Sequence, residues 1–217
     1  MELENKRINF LGDSITFGTG TSEERFIYHQ VLKRKANLAE ARNYGIGGTR
    51  IARQSTPSEK EKHDLDFCSR VEQMDDDADI IVVFGGTNDY GHGDAPMGSF
   101  SDRTEHSFYG ACHVLMEKLI CKYPGKPIVF MTPLHRCDEM NAMANGVPKN
   151  LTLRDYVHAL KEVAEYYSIP VLDLYAVSGI QPNIPVLREM FCPDGLHPND
   201  AGNAVIADKL EKFLRAL

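Results

Sequence analysis

The chain has 217 residues, 42% hydrophobic and 25% charged, with 24 basic against 31 acidic side chains and a net charge of −7. That length and balance suit a single globular domain over residues 1–217 with a buried core. The acidic surplus argues against nucleic acid or an anionic membrane as main partner, since both call for a basic face, and a small-molecule substrate is expected instead.

The first apolar run, residues 8–11, stops on Gly12-Asp13-Ser14 and reads as a strand ending in a turn. A helix-period segment follows at 26–38, then a weaker strand ending near Asn43. Helix at 65–74, strand at 80–84, helix at 107–123, strand at 128–131, helix at 153–167, strand at 171–174 and a last helix from Asn199 complete the chain. The strands are nearly continuous apolar runs rather than alternating ones, which suits a sheet covered on both faces. Regular alternation of strand and helix predicts a three-layer α/β/α sandwich with a parallel five-stranded sheet and right-handed crossovers. Residues 91–105, 135–150 and 176–193 each follow a strand and are expected to wall a pocket at the carboxyl edge of the sheet.

No stretch nears the roughly 20 apolar residues of a membrane span, and MELENKRINF has no apolar signal core; a soluble, cytoplasmic protein without a membrane partner is expected. The cysteines at 68, 112, 121, 137 and 192 are odd in number and form no C-x-x-C pair, so free thiols are expected. His135 and Cys137 lack the second ligand pair that a zinc site needs, and neither a metal nor a cofactor is expected.

Ser14 stands where a hydroxyl would be displayed at the sheet edge. A serine attacks only when a base takes its proton, and the base works best when a third group fixes its tautomer. "CPDGLHPND" offers such a pair, Asp194 and His197, three residues apart in a turn before the last helix. Acyl transfer also needs donors for a developing oxyanion. In "NYGIGGTR" the glycines let the backbone approach a substrate so that the Gly48 N–H can donate, and in "FGGTNDY" Asn88 can present its amide to the same space. Taken alone, the Asp194–His197 stretch reads equally as a turn, and the other three read better as caps or turn punctuation.

The four stretches run in the order Gly-Asp-Ser, Asn-x-Gly-x-x-Gly, Gly-x-Asn-Asp and Asp-x-x-His, from Gly12 to His197. In this the chain resembles the SGNH hydrolase superfamily, the GDSL esterases and lipases, at all four motif blocks, with "GDSIT" in place of "GDSL". The resemblance implies a flavodoxin-like sandwich, Ser14 as nucleophile, His197 as general base and Asp194 as its partner. It implies an oxyanion hole made by the Ser14 and Gly48 N–H groups and the Asn88 side chain. Asp13 and Asp89 are expected to brace their loops, Arg50 to meet a substrate carboxylate or a loop acid, and His92, His106 and His135, in the wall loops, to touch substrate or, as is commoner for histidine, to be solvated.

The polar loops favour a short-chain, acetyl-type ester such as an acetylated sugar; Met97, Met140, Met143 and Val147 point toward a lysophospholipid or acyl-thioester instead. A binding module that keeps the fold without turnover would be expected to lack one catalytic group, and a metal-dependent hydrolase using Asp13, Asp89, Asp194 and His197 lacks the usual H-x-H or H-E-x-x-H spacing.

Overall fold

The computed structural model describes residues 1–144 and 147–217. In chain order the elements are β1 (Arg7–Gly12), α1 (Ser14–Phe17), α2 (Tyr28–Ala36), β2 (Glu40–Gly45), α3 (Phe67–Arg70), β3 (Ile80–Phe84), α4 (Thr87–His92), α5 (Phe108–Lys122) and β4 (Ile128–Met131). They continue with β5 (Met143–Ala144), β6 (Val147–Pro148), α6 (Leu153–Tyr166), β7 (Val171–Leu172), α7 (Leu174–Val177), α8 (Pro185–Phe191) and α9 (Asp200–Ala216).

Five strands form a parallel sheet in the order β2-β1-β3-β4-β7. The period of two sends Ile8, Phe10, Val82 and Val129 to one face, where they pack with Leu32 of α2 and Leu210 of α9. Leu11, Ile81, Val83 and Phe130 point to the other, against Phe67 of α3, Leu115 of α5 and Leu160 of α6. Two apolar cores on opposite faces of one sheet make the three-layer α/β/α sandwich that the alternation predicts.

Strand order reverses between β1 and its neighbours: the chain leaves β1 for β2 on one side and returns to β3 on the other. At such a switch point the two outgoing loops diverge and leave a crevice at the carboxyl edge. The ends of β1, β2 and β3 face that crevice.

Several boundaries differ from the sequence reading. The last strand stops at Leu172, two residues early, because the Asp173 side chain accepts the Ala176 N–H and caps α7. The helix read at 65–74 is a single α-turn capped by Asp66, continued as a 3-10 turn at Val71–Gln73. The helix read at 26–38 begins at Tyr28 and ends on Asn37 in the left-handed region at φ 54°. Of the expected wall 135–150, residues 145 and 146 lie outside the described residues; β5 and β6 pair antiparallel on either side of them. Among the described residues, no helix is long and apolar enough to cross a membrane.

Candidate active site

Ser14 opens α1 directly after β1. The Asp13 carboxylate accepts the Ile15 N–H at 3.0 Å, and Gly18 closes the turn in the left-handed region at φ 108°, so Ser14 is held on a one-turn helix at the strand end. The residue is 8% exposed. The Ser14 Oγ lies 3.0 Å from His197 Nε2, and His197 Nδ1 lies 2.7 Å from Asp194 Oδ2. A carboxylate can only accept, so the imidazole carries its proton on Nδ1 and offers a lone pair at Nε2 to the serine hydroxyl. Asp194 Oδ1 accepts the Leu196 and His197 N–H groups at 2.8 and 2.7 Å. Partial burial would raise the Asp194 pKa, but those two N–H donors and His197 outweigh it and hold the carboxyl below its usual range.

The loops carrying Ser14 and His197 are fastened to each other. Ser22 donates from its N–H and hydroxyl to Asp200 at 2.8 and 2.6 Å, joining the loop after α1 to the start of α9. Gly20, at φ 98°, lies so close that a Cβ there would stand 2.7 Å from the Pro198 carbonyl and 3.0 Å from His197 Cβ. Any side chain at position 20 would push the histidine loop away from the serine.

The turn after β2 approaches from the other side. A Cβ on Gly47 would lie 3.7 Å from Ser14 Cβ, and Gly48 takes φ 83°. Among the described residues, neither the Ser14 nor the Gly48 N–H has a hydrogen-bond acceptor. Asn88, buried in α4, donates through Nδ2 to the Thr49 carbonyl at 2.9 Å, which ties its amide to the same turn. The structure therefore gathers Ser14, Asp194, His197, Gly48 and Asn88 around one point at the switch of strand order.

Most of the remaining sequence candidates have structural partners. Asp89 accepts the Ile51 and Ala52 N–H groups, both at 2.9 Å, and burial raises its pKa against those bonds. Asp13 is fully enclosed; burial, with the Asp89 charge nearby, raises its pKa to about 7 against the Ile15 hydrogen bond and the Arg70 and Arg136 charges. Arg50 meets loop groups rather than open space: Asp64 at 3.5 Å, the Ser58 hydroxyl at 3.0 Å and His92 Nδ1 at 2.6 Å. His135 pairs with Glu139 at 2.8 Å and stacks on Tyr175, and His106 is exposed. Among the described residues, no three His, Cys, Asp or Glu side chains converge as metal ligands would.

Two features escaped the sequence reading. Arg70 is buried beneath the site and donates to the Tyr44 carbonyl at 2.7 Å, the Gly12 carbonyl at 3.1 Å and the Thr49 hydroxyl at 3.0 Å. Burial pushes its pKa down to about 10, which leaves it charged at neutral pH. The second is a cavity of about 410 Å³ beside Gly48, lined by Arg50, Ser58, Lys60, His63, His92 and Asp94 among others. Most of its wall is the segment after β2, which was not among the expected wall loops, while His92 and Asp94 come from the expected wall 91–105. Only the unusual density of charged and hydroxyl residues from Arg53 to Asp66 hinted at it.

The model of the GDSL-like lipase/acylhydrolase family matches residues 10–205, which takes in every residue of the serine cluster. The chain belongs to that family. As a GDSL-like acylhydrolase it is a hydrolase of the esterase and lipase type. Among solved structures, a Lactobacillus plantarum protein is 33% identical, with a TM-score of 0.84 over 99% of this chain and 98% of that one. A possible lipase from Chitinophaga pinensis shares the fold at 24% identity and a TM-score of 0.67, covering 97% of this chain and 98% of its own. A two-domain esterase active on acetylated mannans shares it at 21% identity and a TM-score of 0.61, over 99% of this chain and 49% of that one. No curated protein is significantly similar to the chain.

Proposed function

We propose that this GDSL-family hydrolase is a serine esterase that cleaves short-chain, acetyl-type esters of polar alcohols through an acyl-enzyme. Ser14 Oγ attacks the ester carbonyl while His197 Nε2 takes its proton, and Asp194 stabilises the imidazolium that forms. The Ser14 and Gly48 N–H groups and the Asn88 amide meet the oxyanion. His197 then returns its proton to the leaving alcohol, and a water activated by the same imidazole releases the acid. No cofactor enters these steps. The observation that carries the reading is the hydrogen-bonded run Ser14 Oγ, His197, Asp194 beside two N–H groups with no acceptor among the described residues.

The polar cavity bordering Gly48 supports a hydrophilic alcohol moiety such as a sugar, and the same fold occurs in the esterase active on acetylated mannans. A second reading, a lysophospholipid or acyl-thioester, draws on the exposed Ile184, Val186 and Met190 around α8. A chain-length series on one leaving group separates the two. Each methylene buried contributes about 0.8 kcal/mol, so a lipid groove makes kcat/KM climb from acetyl to octanoyl, whereas the proposed site makes it fall beyond butanoyl. A fluorophosphonate should label the wild type at Ser14 and leave folded Ser14→Ala unlabelled. Near-normal hydrolysis by Ser14→Ala would sink the serine mechanism itself.

A further inference from the structure

We propose that Arg50 and His92 are positioning residues that lock the Asn88 amide in the orientation that donates to the oxyanion; this rests on the reading of Asn88 as an oxyanion donor.

Arg50 has donors only in its guanidinium. It is 5% exposed and held by Asp64, the Ser58 hydroxyl and the carbonyls of His63 and His92. Its Nη2 lies 2.6 Å from His92 Nδ1, so that ring nitrogen must present a lone pair. A neutral imidazole accepting at Nδ1 carries its hydrogen on Nε2. His92 Nε2 lies 3.2 Å from Asn88 Oδ1 and therefore donates to it.

The same chain of donors excludes the flipped amide. Turning Asn88 over would set its oxygen against the Thr49 carbonyl, now 2.9 Å from Nδ2, and its NH₂ against the His92 N–H. Two acceptors would face each other at one end and two donors at the other. In the observed orientation one Nδ2 hydrogen goes to Thr49, and the second is left for the oxyanion site.

The imidazolium form would break the sequence at its first link by placing a proton between His92 and Arg50. Removal from bulk water, then the charge of Arg50, lower the His92 pKa. His92 keeps exposed surface along the open cleft, and water there weakens the shift without removing the guanidinium that opposes protonation. His63, ring centroid 5.8 Å away, and Arg136 add opposition of the same sign.

Steady-state kinetics on p-nitrophenyl acetate test this with His92→Ala, His92→Gln, Asn88→Ala and the His92→Ala/Asn88→Ala pair, alongside imidazole ¹⁵N spectra of the wild type. Losing the lock should cost less than losing the donor. His92→Ala should therefore lower kcat about 10- to 100-fold with KM nearly unchanged, against about 100- to 1000-fold for Asn88→Ala. His92→Gln should recover most of the loss, because one amide can accept from Arg50 and donate to Asn88. In the Asn88→Ala background the His92 change should cost nothing more. The spectra should show the Nε2–H tautomer across about pH 5 to 9, a result that does not depend on how any variant folds. Wild-type kcat in His92→Ala with kcat lost in Asn88→Ala, additive losses in the pair, or an Nδ1–H ring would each overturn the lock while leaving the oxyanion reading standing. Undiminished kcat in Asn88→Ala would instead remove the oxyanion reading and the lock with it.

Discussion

Asp13→Asn should make the protein more stable at neutral pH, by an amount that grows with pH. Asp13 is 2% exposed; its pKa, 3.8 in an unfolded chain, stands at about 7 in the fold, because burial and then the Asp89 charge outweigh the Ile15 hydrogen bond and the two arginines. Between those values the native state holds a proton that the unfolded chain has released, so native stability falls as pH rises through the window and levels off above about pH 7. Asparagine keeps an acceptor for the Ile15 N–H and never titrates. Each pH unit is worth about 1.4 kcal/mol, so the advantage of the variant over wild type should widen by about 2–3 kcal/mol from about pH 5 to pH 7. For a chain of this size that is about 5–10 °C in Tm. His29, buried and pushed down to about 4, destabilises the fold in acid in the opposite sense, but it is common to both proteins and cancels in the difference. Urea titrations of both proteins at intervals of one pH unit measure the quantity directly. A difference in unfolding free energy that stays flat from pH 5 to pH 8 would refute the assignment of a proton to the buried carboxyl.

Asp194→Asn should lower kcat by about 10³- to 10⁴-fold. Its Oδ1 already accepts two N–H groups, so the asparagine must turn its NH₂ toward His197 Nδ1 and favour the tautomer that cannot take the serine proton; unchanged turnover would remove Asp194 from the mechanism. Gly48→Ala should cost about 1–3 kcal/mol of stability, since alanine must adopt φ 83° and its Cβ would stand 2.4 Å from the His63 ring. Turnover should fall as well, measured on the same ester; a stable, fully active Gly48→Ala would show that the turn tolerates a side chain.

The fold was legible where burial on both faces leaves a continuous apolar run, as in Ile80–Phe84 and Ile128–Met131. It was faint in β2, an edge strand whose side chains are half-buried or exposed, so that Glu40–Gly45 carries little apolar signal. Helices α1 and α4 were hidden because Gly-Asp-Ser and Gly-Thr-Asn are turn formers by propensity; strand-end packing, helped at α1 by the Asp13 cap, winds them into helix against local preference. The serine cluster could be read because its spacing is local: Asp194 and His197 share one turn, and each further piece ends a strand. The contact between Arg50 and His92 joins the turn after β2 to the end of α4, 42 residues apart, and no local pattern encodes such a meeting.

The arginines under the site explain how a chain of net charge −7 keeps cations in its interior. A parallel sheet ends in a row of carbonyls at its carboxyl edge, and where strands stop short of their neighbours those oxygens need donors. Arg70 supplies them to Gly12 and Tyr44 at the ends of β1 and β2; off the sheet, Arg136 donates to the Thr87 carbonyl of α4 at 3.1 Å, and Arg50 to the carbonyls of His63 and of His92 at the end of α4. Guanidinium donors, rigid and always charged, satisfy several acceptors at once, and a carbonyl left unpaired there would cost about 1–3 kcal/mol. Their positive charge also offsets the enclosed Asp13 and Asp89. Protein carbonyls engage Nη groups of all three arginines, which fastens the segments that carry Ser14, Gly48 and Asn88, the donors of the proposed oxyanion hole. Fixing donors before substrate arrives is what allows an oxyanion to be stabilised without reorganising the site during the reaction.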